Sequence, residues 1–397
     1  MTLTYCGHTL CIAGRPIPSL AEKQATPFYA YSLPNVQERA RAFRRAFPGA
    51  LVAFALKANR YPPLLRALAA EGLGADVVSL GEWHLARAAG FPPERVVVNG
   101  NAKSDALLQE AIAAGVQSIN LDAAEEVPRV AAAARAVGKT AAVAIRINPG
   151  LDVHTHPHLQ VAAKGSHFGV PPGQVLAVAQ AITEAPELRL VGIHLHPGSQ
   201  LLAATDWEAV VAAAREWVGR LRGAGFPVQQ VNFGGGLGIT YTDAADPQPA
   251  ALAEQIHRGL ERLKPLRLAF EPGRWLVARA GVLVVRVVQV KQAWGQRFVA
   301  VDGGMNALLR PALYGAHHRI WPVQRREPTH LATVVGPNCE STDVLARDVP
   351  LPADLTAGDL LAVLDTGAYG ASMANTYNAR PLPAEMLVGE SLPPADV

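Results

Sequence analysis

Residues able to do chemistry recur where short apolar runs end. Lys57 closes VAFALK, and Asp76 lies in GADVV. Arg146 ends AAVAIR, and His194 and His196 end VGIHLH. Gly234, Gly235 and Gly236 follow VNF, while Glu271 and Arg274 lie in FEPGR. Taken singly, each has an ordinary reading: a solvated lysine, a flexible glycine turn, a polar strand end. Taken together they span a coherent chemistry. A lysine amine condenses with an aldehyde to a Schiff base. A glycine run after a strand bares backbone N–H groups to an anion such as phosphate, and Arg274 can add a charged fork to the same group. A carboxylate such as Glu271 can keep a pyridine nitrogen protonated. An imidazole can lie flat on an aromatic ring.

These residues need a frame that brings them together. Strand-like runs fall at 51–56, 75–79, 95–99, 117–121, 141–147, 190–196, 228–233 and 266–270. Alanine-rich segments with helical periodicity separate them. The segment 104–114 opens on a serine–aspartate cap, and 206–225 carries Trp207, Val210, Val211, Ala214, Trp217 and Leu221 at helical spacing. Eight strands alternating with helices predict an α/β fold, a (β/α)8 TIM barrel. An open doubly wound sheet is the alternative. In such barrels chemistry sits at the C-terminal ends of the strands, where the polar residues fall. GGGLG at 234–238 is not a dinucleotide fingerprint, which needs G-x-G-x-x-G early in a βαβ unit. Beyond about residue 275 helical periodicity fades, and 281–290, 297–302, 331–335 and 360–365 read as strands joined by Pro/Gly-rich connections. The expected division is a barrel over 30–272 and a β-rich domain formed by 1–29 with 273–397.

Composition narrows the function classes. The chain has 397 residues, half of them hydrophobic, and a net charge of only +3. No basic stripe interleaved with aromatics appears, so nucleic acid is not an expected partner. Cys6, Cys11 and Cys339 are too few for a disulfide framework, and with no signal-peptide pattern or apolar span they point to the cytoplasm. The His-x-His at 194 and 196 admits a metal site, but the downstream histidines (His257, His317, His318, His330) do not fall at later strand ends. No metal is expected. HTHPH at 154–158 reads as a loop, Lys103 as a structural or rim residue, Cys6 and Cys11 as structural, and the end of the chain as a frayed tail.

Aldehyde, phosphate and pyridine together describe pyridoxal phosphate. The stretches FALKAN, GADVVSLGE, GNAKS, RINPG, GIHLHPGSQ, NFGGGLGI, FEPGR, VDGGMNALLRPALYGAHH, VVGPNCESTDVLA and DTGAYGASMANTYNARP occur in that order. On these the chain resembles the fold-type III pyridoxal-phosphate decarboxylases, and among them the branch acting on diaminopimelate. The resemblance runs from about residue 26 to 388. It implies that Lys57 carries the cofactor and that His196 stacks on its ring. It implies that Ser199, Gly234, Gly235, Gly236 and Arg274 bind the phosphate under Tyr369, and that Glu271 pairs with the ring nitrogen. Arg310 and Tyr314, with Arg274 and Tyr369, would face the substrate. Cys339, as proton donor, and Glu340, for the distal amine, would come from the partner subunit of a homodimer with shared sites.

The implied reaction converts meso-2,6-diaminopimelate to L-lysine and carbon dioxide. Pro197, Ala307, Thr342 and MANTYN depart from the usual pattern and leave the substrate more open than the reaction type. Rival substrates within the resemblance are ornithine, arginine, carboxynorspermidine or a carrier-bound amino acid. Other classes are an alanine racemase, which Glu271 argues against, a non-catalytic cofactor carrier and a barrel metal hydrolase.

Overall fold

Each of the eight apolar runs forms a strand in the computed structural model, which describes residues 3–151 and 165–389. They are β1 (Leu51–Ala55), β2 (Gly74–Val77), β3 (Val96–Val98), β4 (Ser118–Leu121), β5 (Ala141–Arg146), β6 (Leu188–His194), β7 (Gln230–Asn232) and β8 (Arg267–Phe270). Neighbours pair in parallel in sequence order, and β8 returns to β1 through Ala269↔Leu51 and Phe270↔Val52, so the barrel closes. The open-sheet alternative is thereby excluded. The HTHPH stretch and the chain's end lie outside the described residues.

Local chemistry explains the intervening helices. Ser104 Oγ accepts the Leu107 N–H at 3.2 Å and opens the helix Asp105–Ala114. Gly115, at φ +78°, ends it in the left-handed conformation that glycine adopts without strain. The helix Ala204–Gly223 buries Trp207, Val210, Val211, Ala214, Trp217 and Leu221, the stripe that its spacing predicted.

The described chain forms two units. One holds residues 40–240 and 245–273, and with them the barrel. The other gathers residues up to 39, 241–244 and from 274 onward. Its backbone is an eight-stranded sheet built around the long strand Gly281–Ala293, which pairs with Phe28–Ser32, Leu360–Val363 and Gln296–Val301. Phe28, Ala30, Val282, Val284, Ala362 and Leu364 share its core. The N-terminal strands Leu3–Cys6, Thr9–Ile12 and Arg15–Pro16 make a small sheet of their own. Strands Val344–Pro352 and Ala384–Val388 carry no clear strand signal in the sequence. The first contains Pro350 and Pro352 and lies on the sheet edge, where missing N–H donors are tolerated.

Closure sets tight steric limits. Gly192 in β6 pairs with Gln230 of β7, and a Cβ at Gly192 would lie 2.1 Å from the Gln230 carbonyl oxygen. Backbone cannot yield as a flexible side chain does. Gly192→Ala is expected to lower stability by about 3 kcal/mol, read as a drop in the midpoint of chemical denaturation. An unchanged midpoint would mean that β6 and β7 separate at no cost.

Candidate active site

Phe270, the last residue of β8, packs against Phe47 (ring centroids 4.1 Å apart) and Phe233 (5.7 Å), which fixes the position of Glu271 after it. The Glu271 backbone N–H donates to the Gly234 carbonyl at 2.7 Å. Its carboxylate is buried and surrounded by donors from other strands. Oε1 accepts from Asn99 (2.8 Å), Asn120 (3.4 Å) and Asn232 (2.7 Å), and Oε2 lies 3.0 Å from His194 Nε2. Burial pushes this carboxyl up. The charge and hydrogen bond of His194, with the Asn99 amide, outweigh it and hold the group well below the usual carboxylate range. Glu271 is therefore ionised in a buried setting.

The amides extend this charge outward. Asn232 donates to Glu271 and accepts the Gly234 N–H at 2.9 Å, which joins the carboxylate to the glycine loop. Gly234 and Gly236 sit at φ +63° and +126°, and a Cβ at Gly234 would come within 2.5 Å of His196 Nδ1. The loop is bare backbone by necessity. Gly235 N–H donates to His196 Nδ1 at 3.1 Å, which makes that nitrogen an acceptor. Burial, then the positive charges of Lys57 and Arg146, press the His196 imidazole well below its usual range and keep the ring neutral. β6 ends at His194, so His196 lies in the following loop rather than in the strand, as its spacing suggested. That loop is tied to the glycine loop by Leu201 N–H to the Gly236 carbonyl (2.8 Å) and Gly238 N–H to the Leu201 carbonyl (3.1 Å), which places Ser199 on a braced segment.

Lys57 is exposed in a single turn, Leu56–Ala58, directly after β1. Its charge acts on Asp76 and His196. Asn99 Nδ2 donates to Asp76 Oδ1 at 2.7 Å as well as to Glu271. Burial and the neighbouring Glu271 charge raise the Asp76 carboxyl to about 7. Arg146 pairs with Asp122 at 2.9 Å. Lys103 is fully buried, its Nζ on both Glu126 oxygens (2.9 and 2.8 Å), and Glu126 in turn accepts the Asp122 N–H at 2.7 Å. Among the described residues, no group of three or more His, Cys, Asp or Glu could hold a metal ion.

The remaining candidates belong to the second unit. Arg274 Nη1 donates to Tyr241 Oη at 2.7 Å, and its guanidinium lies 4.9 Å from the Tyr369 ring centroid. Arg310 is buried, 5.0 Å from the Tyr241 centroid, and Tyr314 ends the short helix Arg310–Tyr314. Cys339 and Glu340 are exposed on a loop fixed from below by Asp343. That carboxylate accepts from Met305 N–H (2.5 Å), Asn338 N–H (2.8 Å) and Asn338 Nδ2 (2.8 Å). The thiol of Cys339 is thus not buried, as an isolated cysteine would be expected to be. At Ala307, one of the departures, the backbone carbonyl accepts the Tyr29 hydroxyl at 2.6 Å, a contact that does not depend on its side chain.

The sequence of a pyridoxal-dependent decarboxylase family, over its pyridoxal-binding domain, matches residues 33–278. A diaminopimelate decarboxylase of Zymomonas mobilis is 41% identical over 387 residues, covering 96% of this chain and 91% of that protein. One of Aquifex aeolicus is 38% identical over 388 residues, covering 97% and 92%. The chain belongs to the diaminopimelate decarboxylase family. The crystal structure of diaminopimelate decarboxylase from M. jannaschii in co-complex with L-lysine matches with a TM-score of 0.93 at 35% identity, covering 98% of this chain and 93% of that one. Membership makes the protein a pyridoxal-phosphate-dependent amino-acid decarboxylase. The residues present fit that cofactor: a cradle that a Cβ would fill, a buried ionised carboxylate and an exposed lysine.

In this decarboxylase the reading of single residues had missed Asn99, Asn120, Asn232 and the pairing of His194 with Glu271. The signal was present, since each of these lies at or near a strand's end like the residues that were noticed. The Asp76 carboxyl yields a pH test. Its ordinary value is 3.8, and in the fold it is about 7. Between those values the native state keeps a proton that the unfolded chain has released, so this group makes stability fall as pH rises, with no further change above the upper value. Asp76→Asn removes the effect. Its denaturation midpoint relative to the unsubstituted protein is expected to rise from pH 4 to pH 7 and then level off. A constant difference across that range would contradict the assignment.

Proposed function

We propose that this enzyme decarboxylates meso-2,6-diaminopimelate to L-lysine and carbon dioxide. The observation that best supports the chemistry is the buried, ionised Glu271 beside a glycine loop at the barrel's C-terminal rim. Bound pyridoxal phosphate supplies an electron sink for the pair left behind when a carboxylate departs. Lys57 would hold its aldehyde carbon, and Ser199, Gly234, Gly235, Gly236 and Arg274 its phosphate, with Tyr369 over the phosphate. His196, kept neutral, would lie on the ring face. Glu271 would hold a proton on the ring nitrogen, which is why its charge must survive burial.

The substrate assignment draws on the related proteins' names and on Arg310. Diaminopimelate has a carboxylate and an amine far from the reacting carbon. Arg310 with Tyr314 would take that carboxylate, and Glu340 the amine, while Arg274 and Tyr369 also face substrate. Cys339 would return a proton to the carbon that lost carbon dioxide. In this reading Cys339 and Glu340 are supplied by a second copy, so the working form is a cytoplasmic homodimer with shared sites. Among the described residues no helix is long and apolar enough to cross a membrane.

The loaded enzyme is expected to release carbon dioxide from meso-diaminopimelate and not from L-ornithine or L-arginine. Release from one of those alone would move the substrate and keep the chemistry. Lys57→Ala is expected to abolish both turnover and the visible absorbance of covalently held cofactor. Cys339→Ala is expected to lower kcat by about 10²–10⁴-fold with cofactor affinity unchanged. Mixing the Lys57→Ala and Cys339→Ala proteins should restore activity that neither has alone. Failure to complement would refute sharing of sites between subunits.

A further inference from the structure

Arg310 is a buried cation, and the side chain that holds it is not an acid. Its Nη1 lies 2.6 Å from His318 Nε2, and His318 is fully buried. The other ring nitrogen, Nδ1, lies 2.8 Å from the Leu364 carbonyl oxygen. A carbonyl can only accept, so Nδ1 carries the proton. A guanidinium can only donate, so Nε2 presents its lone pair to Arg310. The two partners together fix one neutral tautomer. Burial first, then the adjacent Arg310 charge, hold the imidazole down at about 3, consistent with that state. The ring cannot drift, because Leu364 N–H donates to the Arg319 carbonyl at 2.8 Å and the strand Ile320–Pro322 pairs with Leu360–Val363. Tyr241 meets the imidazole edge-on, with centroids 5.2 Å apart, and closes the cluster from another side.

Among the described residues Arg310 has no carboxylate partner, and the groups it interacts with include His318, Tyr241, Arg274, Tyr369 and Tyr29. Most buried guanidinium groups are neutralised by an acid. Here the planar fork is committed to neutral groups, His318 Nε2 and the Tyr241 hydroxyl. That sets the rotation of the fork and leaves its charge uncancelled.

We infer that His318 is a positioning residue for the substrate's distal carboxylate: it orients Arg310 while keeping the full guanidinium charge available to an incoming anion. The inference rests on the reading above that Arg310 takes that carboxylate. It also accounts for a buried histidine that has no place in the chemistry of the barrel.

The test uses the cofactor-loaded enzyme and five variants. His318→Leu is expected to raise KM for meso-diaminopimelate by about tenfold or more, with kcat and cofactor affinity nearly unchanged. His318→Gln, which can still accept from Arg310, should restore most of the affinity. His318→Glu also accepts but cancels the charge, so its KM should rise at least as far as that of the leucine variant. In an Arg310→Met background, His318→Leu should add little further. Equal effects with and without Arg310, or a glutamate variant with unchanged KM, would overturn the inference. If the unsubstituted enzyme releases no carbon dioxide from meso-diaminopimelate, the substrate reading fails by itself. The His318–Arg310 coupling is then read from the denaturation midpoints of the two single variants and the double variant, where additive losses would refute it.

Discussion

The barrel is organised around one buried negative charge. Removing a carboxylate from water costs several kcal/mol unless donors replace the lost hydration. Glu271 receives those donors from four places: His194 at the end of β6, Asn99 after β3, Asn120 in β4 and Asn232 at the end of β7. None of them is near it in sequence. Asn99 is 172 residues away and Asn120 is 151. The charge can exist only in a barrel that is closed and in register. Conversely, it is the charge, not the closure of the barrel, that calls for polar residues at these inward positions.

Two further features follow from this charge. Asn232 has one amide to give and one carbonyl to receive with, and it spends them on Glu271 and on the Gly234 N–H. The group suited to a ring nitrogen and the loop suited to a phosphate are therefore set by one side chain. Asp76 shows the opposite effect. It shares the Asn99 amide with Glu271 but lies in the field of a carboxylate already ionised. Two like charges in one buried cluster are unfavourable, so the second acid holds its proton to near neutrality. The cluster keeps one full negative charge rather than two.

The second unit solves the converse problem for a cation. Arg310 is held by an imidazole whose tautomer is dictated by a backbone carbonyl. Geometry is fixed without neutralisation, so the charge is held in place and not cancelled. Asp343 does the conventional thing nearby in the same unit. It gathers two backbone N–H groups and the Asn338 amide, and Gly304 and Gly336 leave room for it, since a Cβ at either would lie within 2.3 Å of its Oδ1. There the carboxylate shapes the loop that carries Cys339 and Glu340.

Periodicity and local caps determined the barrel. Eight apolar runs, a serine cap before Asp105 and a six-residue stripe in the helix Ala204–Gly223 are local features, and local features survive in one dimension. Polar residues at strand ends, with ordered motifs, pointed to Lys57, His196, the glycine run and Glu271. Tertiary structure alone decided which partners surround those residues. The Asn99–Asn120–Asn232 shell, the His194 pairing and the tautomer of His318 arise from contacts between strands and loops far apart in the chain. An asparagine carries the same letters whether it faces water or a buried carboxylate. The strands Val344–Pro352 and Ala384–Val388 escaped for the same reason: the prolines within the first and just before the second resemble a loop until a neighbouring strand supplies the pairing. Sequence determines where a functional residue type can sit, but its charge state is set by what folding places around it.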